Sequence, residues 1–320
     1  MPDVRHETLL NTSLLYEVRG MKKMRGVVIP MITPMNTDGT IDEKSLIRFC
    51  KFLMNTDVDC LYPNGTNGES LYLSKEERQQ VAEIIVKTVD HKLPVFIQCG
   101  AMTTEETISH VQHAQKIGAD GAGVMSPAFF PMDELALYEY YKDVVSSVSS
   151  DFPVYIYNIP GCTTNDVKPE LLARLMEEFP NVVGIKYSCP DLMRIEDYLE
   201  KPVRTPDVLI GCDSLFLQCL MTGGVGTVTG PGAIFHERFT RLYKQYRDGE
   251  FDGAKETQQE IVKDDRRMAA IPGIPGLKAL LKMRGVIEND TCRKPLRKLQ
   301  DEEYKILEKI YDDYVREEKL

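Results

Sequence analysis

The sequence lacks any Cys-x-x-Cys pair, any run of 18 apolar residues and any surplus of positive charge. Its eight cysteines, at 50, 60, 99, 162, 189, 212, 219 and 292, are scattered, and several interrupt apolar runs such as Val95-Phe96-Ile97-Gln98-Cys99. That distribution argues for reduced, buried thiols and against a disulfide or zinc framework. Without a long apolar run no transmembrane helix is expected, and the N-terminus has no apolar core of a secretory signal. The 39 Lys and Arg against 49 Asp and Glu leave a formal charge of -10, which repels phosphate backbones and anionic lipid. The expectation is a cytoplasmic protein that binds neither nucleic acid nor membrane.

What remains is an ordinary globular composition, 42% hydrophobic and 28% charged, sufficient for a large core and foreign to disordered, collagenous or coiled-coil chains. The 320 residues allow two average domains or one α/β barrel. Residues 1–22 are polar and read as a leader or arm. From Arg25 onward, short β-branched runs alternate with amphipathic segments. The strand-like runs are 26–32, 57–62, 94–99, 121–125, 153–157, 182–187, 208–212 and 224–228. Helix starts are marked by Asp42, by Ser74 with Glu77, and by Thr103 with Glu106; the last two pairs have the spacing of capping boxes. Eight strands, each followed by a helix, predict an α/β (β/α)8 TIM barrel over 23–235, with a doubly wound open sheet as the alternative. More helical pattern follows than one barrel helix needs, so 236–320 is expected to be a C-terminal helical extension that includes the last barrel helix. Pro272-Gly273-Ile274-Pro275-Gly276 reads as a hinge-like break, with Pro275 suited to start a helix.

In such a barrel, chemistry belongs at the C-terminal ends of the strands. Strand alternation in Val182-Val183-Gly184-Ile185-Lys186 puts Val183 and Ile185 on one face and Val182, Gly184 and Lys186 on the other. With the branched pair toward the helices, Lys186 points into the barrel mouth, where desolvation leaves some free amine for Schiff-base formation. The alternative is a lysine snorkelling to solvent, but no other lysine sits at the end of a strand run. On the preceding run Tyr155 and Tyr157 share a face, and Tyr157 becomes a neighbour of Lys186, able to relay protons or simply to pack. Pro63-Asn64-Gly65-Thr66-Asn67-Gly68-Glu69 follows the second strand; Gly65 and Gly68 permit a nest of amides suited to a carboxylate, or a plain turn.

Together, Gly65-Thr66-x-Gly68-Glu69, Tyr157-Asn158-x-Pro160 and Gly184-x-Lys186 resemble the dihydrodipicolinate synthase/N-acetylneuraminate lyase family of class I aldolases, from about residue 25 to about residue 314. The resemblance implies a pyruvate Schiff base on Lys186, with Tyr157 as proton donor and acceptor and Thr66 linking it to a relay. It places pyruvate's carboxylate on the Thr66 and Asn67 amides and the main chain near Val228 against the pocket. It also implies a homotetramer, a dimer of dimers, that needs no cofactor and no metal.

Departures from the family pattern bear on the substrate. Asn67 replaces the usual threonine but keeps its amide. Phe129 stands where the family offers a tyrosine across a subunit interface, which shortens the relay. Cys162 replaces the arginine that grips aspartate semialdehyde in dihydrodipicolinate synthases, so the lysine-pathway reaction, 4-hydroxy-tetrahydrodipicolinate synthesis, is disfavoured. Gly211-Cys212-Asp213-Ser214 resembles the lyase segment that holds sugar hydroxyls; Asp213 matches an acid there, Ser214 replaces a glutamate, and Gly230 falls at a serine. Cys292-Arg293-Lys294-Pro295 is similar to the lyase's C-terminal segment or is a basic surface loop. The reading is an aldolase for a 2-keto-3-deoxy sugar acid or an N-acetylneuraminate-like keto acid. A keto-acid dehydratase and a non-catalytic keto-acid-binding protein are the alternatives. His110 and His113, at metal-like spacing, are expected on a solvated helix face, as is the tail around Asp312-Asp313 and 316–319.

Overall fold

The computed structural model describes residues 22–200 and 204–319; residues 1–21, nearly all of the expected leader, lie outside them. Eight parallel strands alternate with helices. In chain order these are β1 (Gly26–Ile29), α1 (Glu43–Leu53), β2 (Cys60–Leu61), α2 (Lys75–Val89), β3 (Phe96–Gln98), α3 (Thr104–Lys116), β4 (Gly121–Met125) and α4 (Glu134–Ser146). The second half runs β5 (Val154–Asn158), a short helical turn at Pro160–Thr163, α5 (Pro169–Glu178), β6 (Val182–Tyr187), α6 (Leu192–Glu200), β7 (Asp207–Ile210), α7 (Phe216–Thr222) and β8 (Gly226–Val228). The strand order β2-β1-β8-β7-β6-β5-β4-β3 is closed into a ring by a parallel bridge between Leu61 and Val95. The fold is the expected TIM barrel, and each expected strand is present: β4 and β6 with the expected bounds, β5 shifted by one residue, and the other five shortened.

Two apolar layers hold it together. The larger lies between the outer faces of the strands and the helices, with Val27, Ile29, Val124, Ile156, Ile185 and Ile210 at its centre. The smaller fills the barrel and includes Val28, Cys60, Tyr62, Phe96, Tyr155, Leu209 and Val228. Aromatic rings fit inside because glycines face them: a Cβ at Gly123 would collide with the Tyr62 hydroxyl. The lower end is plugged by Asp207, which accepts from the Tyr155 hydroxyl at 2.9 Å and pairs with Arg25 at 3.1 Å.

Strand β6 departs from simple alternation. Val154 pairs with Val182 but Tyr155 pairs with Gly184, so Val183 is an extra residue in the ladder. Val182 therefore faces the helices and Val183 the barrel interior, the reverse of the sequence expectation. Beyond the bulge the expected parity holds, because Ile185 packs outward and Lys186 lies beside Tyr157.

The helix starts carry their caps. Asp42 accepts from the Ser45 amide at 3.0 Å, and Ser74 and Glu77 form a complete capping box. At α3 only half of the expected box forms: Thr103 caps Glu106, whose carboxylate turns instead to His110 at 3.5 Å. His110 is not solvated as expected; it is buried, and burial pushes its pKa down to about 3.

Past the barrel come α8 (His236–Arg247), α9 (Phe251–Met268), α10 (Gly273–Met283) and α11 (Asp301–Glu318). Helix α10 starts at Gly273, so Pro275 falls within its first turn, where its missing N–H costs no bond. The charged tail is not a free helix end. Arg238, 1% exposed, pairs with Asp264, with Glu317 at 2.5 Å and with Glu318 at 3.0 Å, while Arg267 binds Asp313 at 2.6 Å. This network clamps α8, α9 and α11 together. Among the described residues no helix is long and apolar enough to cross a membrane.

Candidate active site

The C-terminal mouth of the barrel opens into a cavity of about 630 Å³. Of the residues singled out from sequence, Thr66, Asn67, Tyr157, Lys186, Gly211, Asp213, Val228 and Gly230 line it. Lys186 is 4% exposed and lies across the ladder from Tyr157. Its Nζ is 3.7 Å from the centre of the Tyr157 ring and 4.8 Å from that of Tyr62. Burial lowers its pKa below the 10.5 of a free lysine, while Tyr157 and Asp213 oppose that shift. The Tyr157 hydroxyl is 3.3 Å from Thr66 Oγ1.

The loop bearing Thr66 is folded on itself. Gly68 and Glu69 donate to the carbonyls of Gly65 and Thr66, and Thr33 ties down the Gly68 carbonyl at 2.8 Å. Among the described residues no acceptor takes the amide hydrogens of Thr66 or Asn67, which leaves them available to a carboxylate. Gly65 shapes this turn without lining the cavity. The Asn67 amide group reaches across to Gly230, into space that a side chain at 230 would need.

Behind the loop is a feature the sequence reading missed. Glu69 has left-handed backbone (φ 57°), and its side chain forms an ion pair with Lys278 of α10 in which both side chains are fully buried. The Arg293 amide donates to Glu69 at 2.7 Å, and Lys278 also donates to the Thr291 carbonyl at 2.7 Å. The Arg293 fork grips Glu77 at 2.6 and 2.9 Å, so the 292–295 segment is a brace rather than a free surface loop. The available signal was a single lysine inside the apolar run Leu277-Lys278-Ala279-Leu280-Leu281. Tyr62, the floor beneath Lys186, was missed as well.

On the opposite wall, burial and a second carboxylate, Asp265 of α9, raise the pKa of Asp213 well above the usual range. Asp265 lines the cavity too and accepts from Ser214 Oγ at 2.8 Å. Nothing in the Asp264-Asp265 sequence marked it.

Two expected substrate residues lie elsewhere. Cys162, on the Pro160–Thr163 turn, lines a neighbouring cavity of about 200 Å³ with Thr66, Tyr72 and Leu296. Phe129 lines neither cavity; it has a left-handed backbone (φ 76°) and is 75% exposed. All eight cysteines are free thiols, and burial raises those of Cys50, Cys99 and Cys219 to about 12, which leaves them unreactive. Among the described residues no three His, Cys, Asp or Glu side chains are grouped to hold a metal ion.

The sequence matches the model of the dihydrodipicolinate synthetase family over residues 23–313. It is 31% identical over 285 residues to a 4-hydroxy-tetrahydrodipicolinate synthase of Bartonella bacilliformis, covering 89% of this chain and 96% of that protein. It is 32% identical over 246 residues to a probable 2-dehydro-3-deoxy-D-pentonate aldolase of Escherichia coli, covering 76% and 81%. Among solved structures it superimposes on YagE, an E. coli prophage protein of the dihydrodipicolinic acid synthase family in complex with pyruvate. The TM-score is 0.87 at 26% identity, covering 92% of this chain and 99% of that one. With the match spanning the barrel and most of its helical extension, the chain belongs to the dihydrodipicolinate synthetase family of pyruvate-dependent lyases and aldolases.

Proposed function

We propose that the protein is a Schiff-base-forming class I aldolase that makes or breaks the bond between pyruvate and a neutral hydroxylated aldehyde, the keto acid being of the 2-keto-3-deoxy sugar acid type. The observation that carries this reading is the buried Lys186 amine against the Tyr157 ring, whose hydroxyl reaches Thr66. Lys186 attacks the pyruvate carbonyl and water leaves, giving an imine. The protonated imine draws electrons from C3, and loss of a C3 proton gives the enamine that adds to the aldehyde; cleavage is the reverse. Tyr157, connected to Thr66, carries protons to and from the carbinolamine and the new hydroxyl. The Thr66 and Asn67 amides hold the pyruvate carboxylate, Gly65 shapes their turn, and Val228 and Gly211 border the substrate.

The lining of the main cavity, with two carboxyls and no arginine among the described residues, supports a neutral acceptor over aspartate semialdehyde. Cys162 adds no charge from the adjacent cavity. Association of copies, expected as a homotetramer, is supported by the exposed Phe129, Phe130, Leu71 and Met102.

Incubation with pyruvate and borohydride, followed by peptide mass spectrometry, is expected to leave one reduced pyruvate adduct on the peptide containing Lys186. A folded protein with no adduct there overturns the reading in favour of a binding protein. Thr66→Val is expected to keep this trapping while lowering kcat by about 10- to 100-fold. Unchanged turnover would remove Thr66 from the relay.

A further inference from the structure

We infer that Asp265, supplied by α9 from outside the barrel, is a specificity-determining residue that with Asp213 receives the hydroxyl groups of an uncharged polyhydroxylated aldehyde. The inference rests on the pyruvate-imine reading above and assigns the far end of the same cavity.

The lining has a chemical polarity. Among the described residues Lys186 is its only cationic side chain, and imine formation uses that amine. Toward α9 the polar side chains are Ser188, Asp213 and Asp265, set among Met268, Ala269 and Ile271. Carboxylates accept hydrogen bonds and do not donate them, so a ligand matching this wall must bring donors. Sugar hydroxyls do; a second carboxylate on the acceptor would meet like charge.

The wall is also built to hold its shape. Asp213 Oδ1 is sealed from solvent and has no hydrogen-bond partner among the described residues, an acceptor left for a ligand donor. Asp265 Oδ2 is anchored by Ser214 Oγ at 2.8 Å. The preceding residue, Asp264, is paired with the buried Arg238, which in turn holds the α11 tail through Glu317 and Glu318. That clamp fixes the rotation of α9 and so directs Asp265 at the cavity.

The test compares full-length wild type, Asp265→Leu and Asp265→Asn in the condensation of pyruvate with D-glyceraldehyde and with propanal, which lacks the hydroxyls. Products are measured by mass spectrometry, and trapping of pyruvate with borohydride is measured alongside. Wild type is expected to favour glyceraldehyde by roughly tenfold or more in kcat/KM. Asp265→Leu is expected to lose that preference through glyceraldehyde alone, with propanal turnover and trapping at Lys186 unchanged. Asp265→Asn, which keeps the size and an acceptor oxygen, is expected to restore part of the preference and serves if the leucine variant does not fold. A parallel fall with both aldehydes, an unchanged ratio in a folded variant, or a wild type without preference overturns the inference while leaving the imine reading intact. Absence of trapping in the wild type overturns both.

Discussion

Lys186→Met is expected to abolish trapping of pyruvate and lower turnover by at least about a thousandfold, while making the fold more resistant to heat. The loss follows because the side chain is the nucleophile of the proposed reaction and, among the described residues, no other amine lines the cavity. The gain follows from the cost of burying an amine: methionine fills similar space with no charge to desolvate, a change of about 0.5–2 kcal/mol. The pH dependence separates this from a packing effect. Lys186 has a lower pKa in the folded chain than the 10.5 of a free lysine. Between those two values the unfolded chain binds the extra proton, so stability rises with pH through that window, and the lysine's penalty is complete below it. The stabilisation of the methionine variant is therefore largest at low pH and shrinks as pH nears 10.5. Calorimetric scans across pH check this; a variant less stable than wild type at neutral pH would mean that the amine is well solvated or paired.

The second large effect is expected at Lys278, well away from the reacting atoms. Lys278→Met strands the Glu69 carboxylate in a site from which both side chains are excluded from solvent. Breaking a buried pair from one side costs about 3–5 kcal/mol. Urea unfolding is expected to show that loss, and the double variant Glu69→Gln with Lys278→Met is expected to recover most of it by removing the orphaned charge. Because Glu69 ends the turn that presents the Thr66 and Asn67 amides, the single variant is also expected to need about tenfold more pyruvate for half-maximal trapping. A loss below about 1 kcal/mol would mean that water reaches Glu69 in the variant.

Most of the barrel was legible because its code is local. Strand runs between capped helices mark themselves, and the parity of β6 beyond Gly184 aimed Lys186 correctly at Tyr157. What escaped depends on distant segments. Nothing local to Asp265 says that α9 will lean over the mouth, and nothing in Leu277-Lys278-Ala279 names Glu69, 209 positions earlier, as the partner. His110 and the acidic tail were misjudged for the same reason: His110 is covered by packing that its own helix does not reveal, and the tail's partners lie on α8 and α9. The missing half of the α3 cap shows the local code yielding to a competitor one turn away.

The extra residue in β6 separates two counting schemes along one strand. Upstream of Val183 the inward and outward positions are set by packing against the start of β5; downstream they are set by the pairing of Gly184 with Tyr155. The aim of Lys186 is thus indexed to Gly184, two residues away, and not to the beginning of the strand. Gain or loss of a residue before the bulge alters which valine meets the helices and leaves the lysine's heading untouched, so the lower half of the strand is free to drift in sequence while the reactive end keeps its phase.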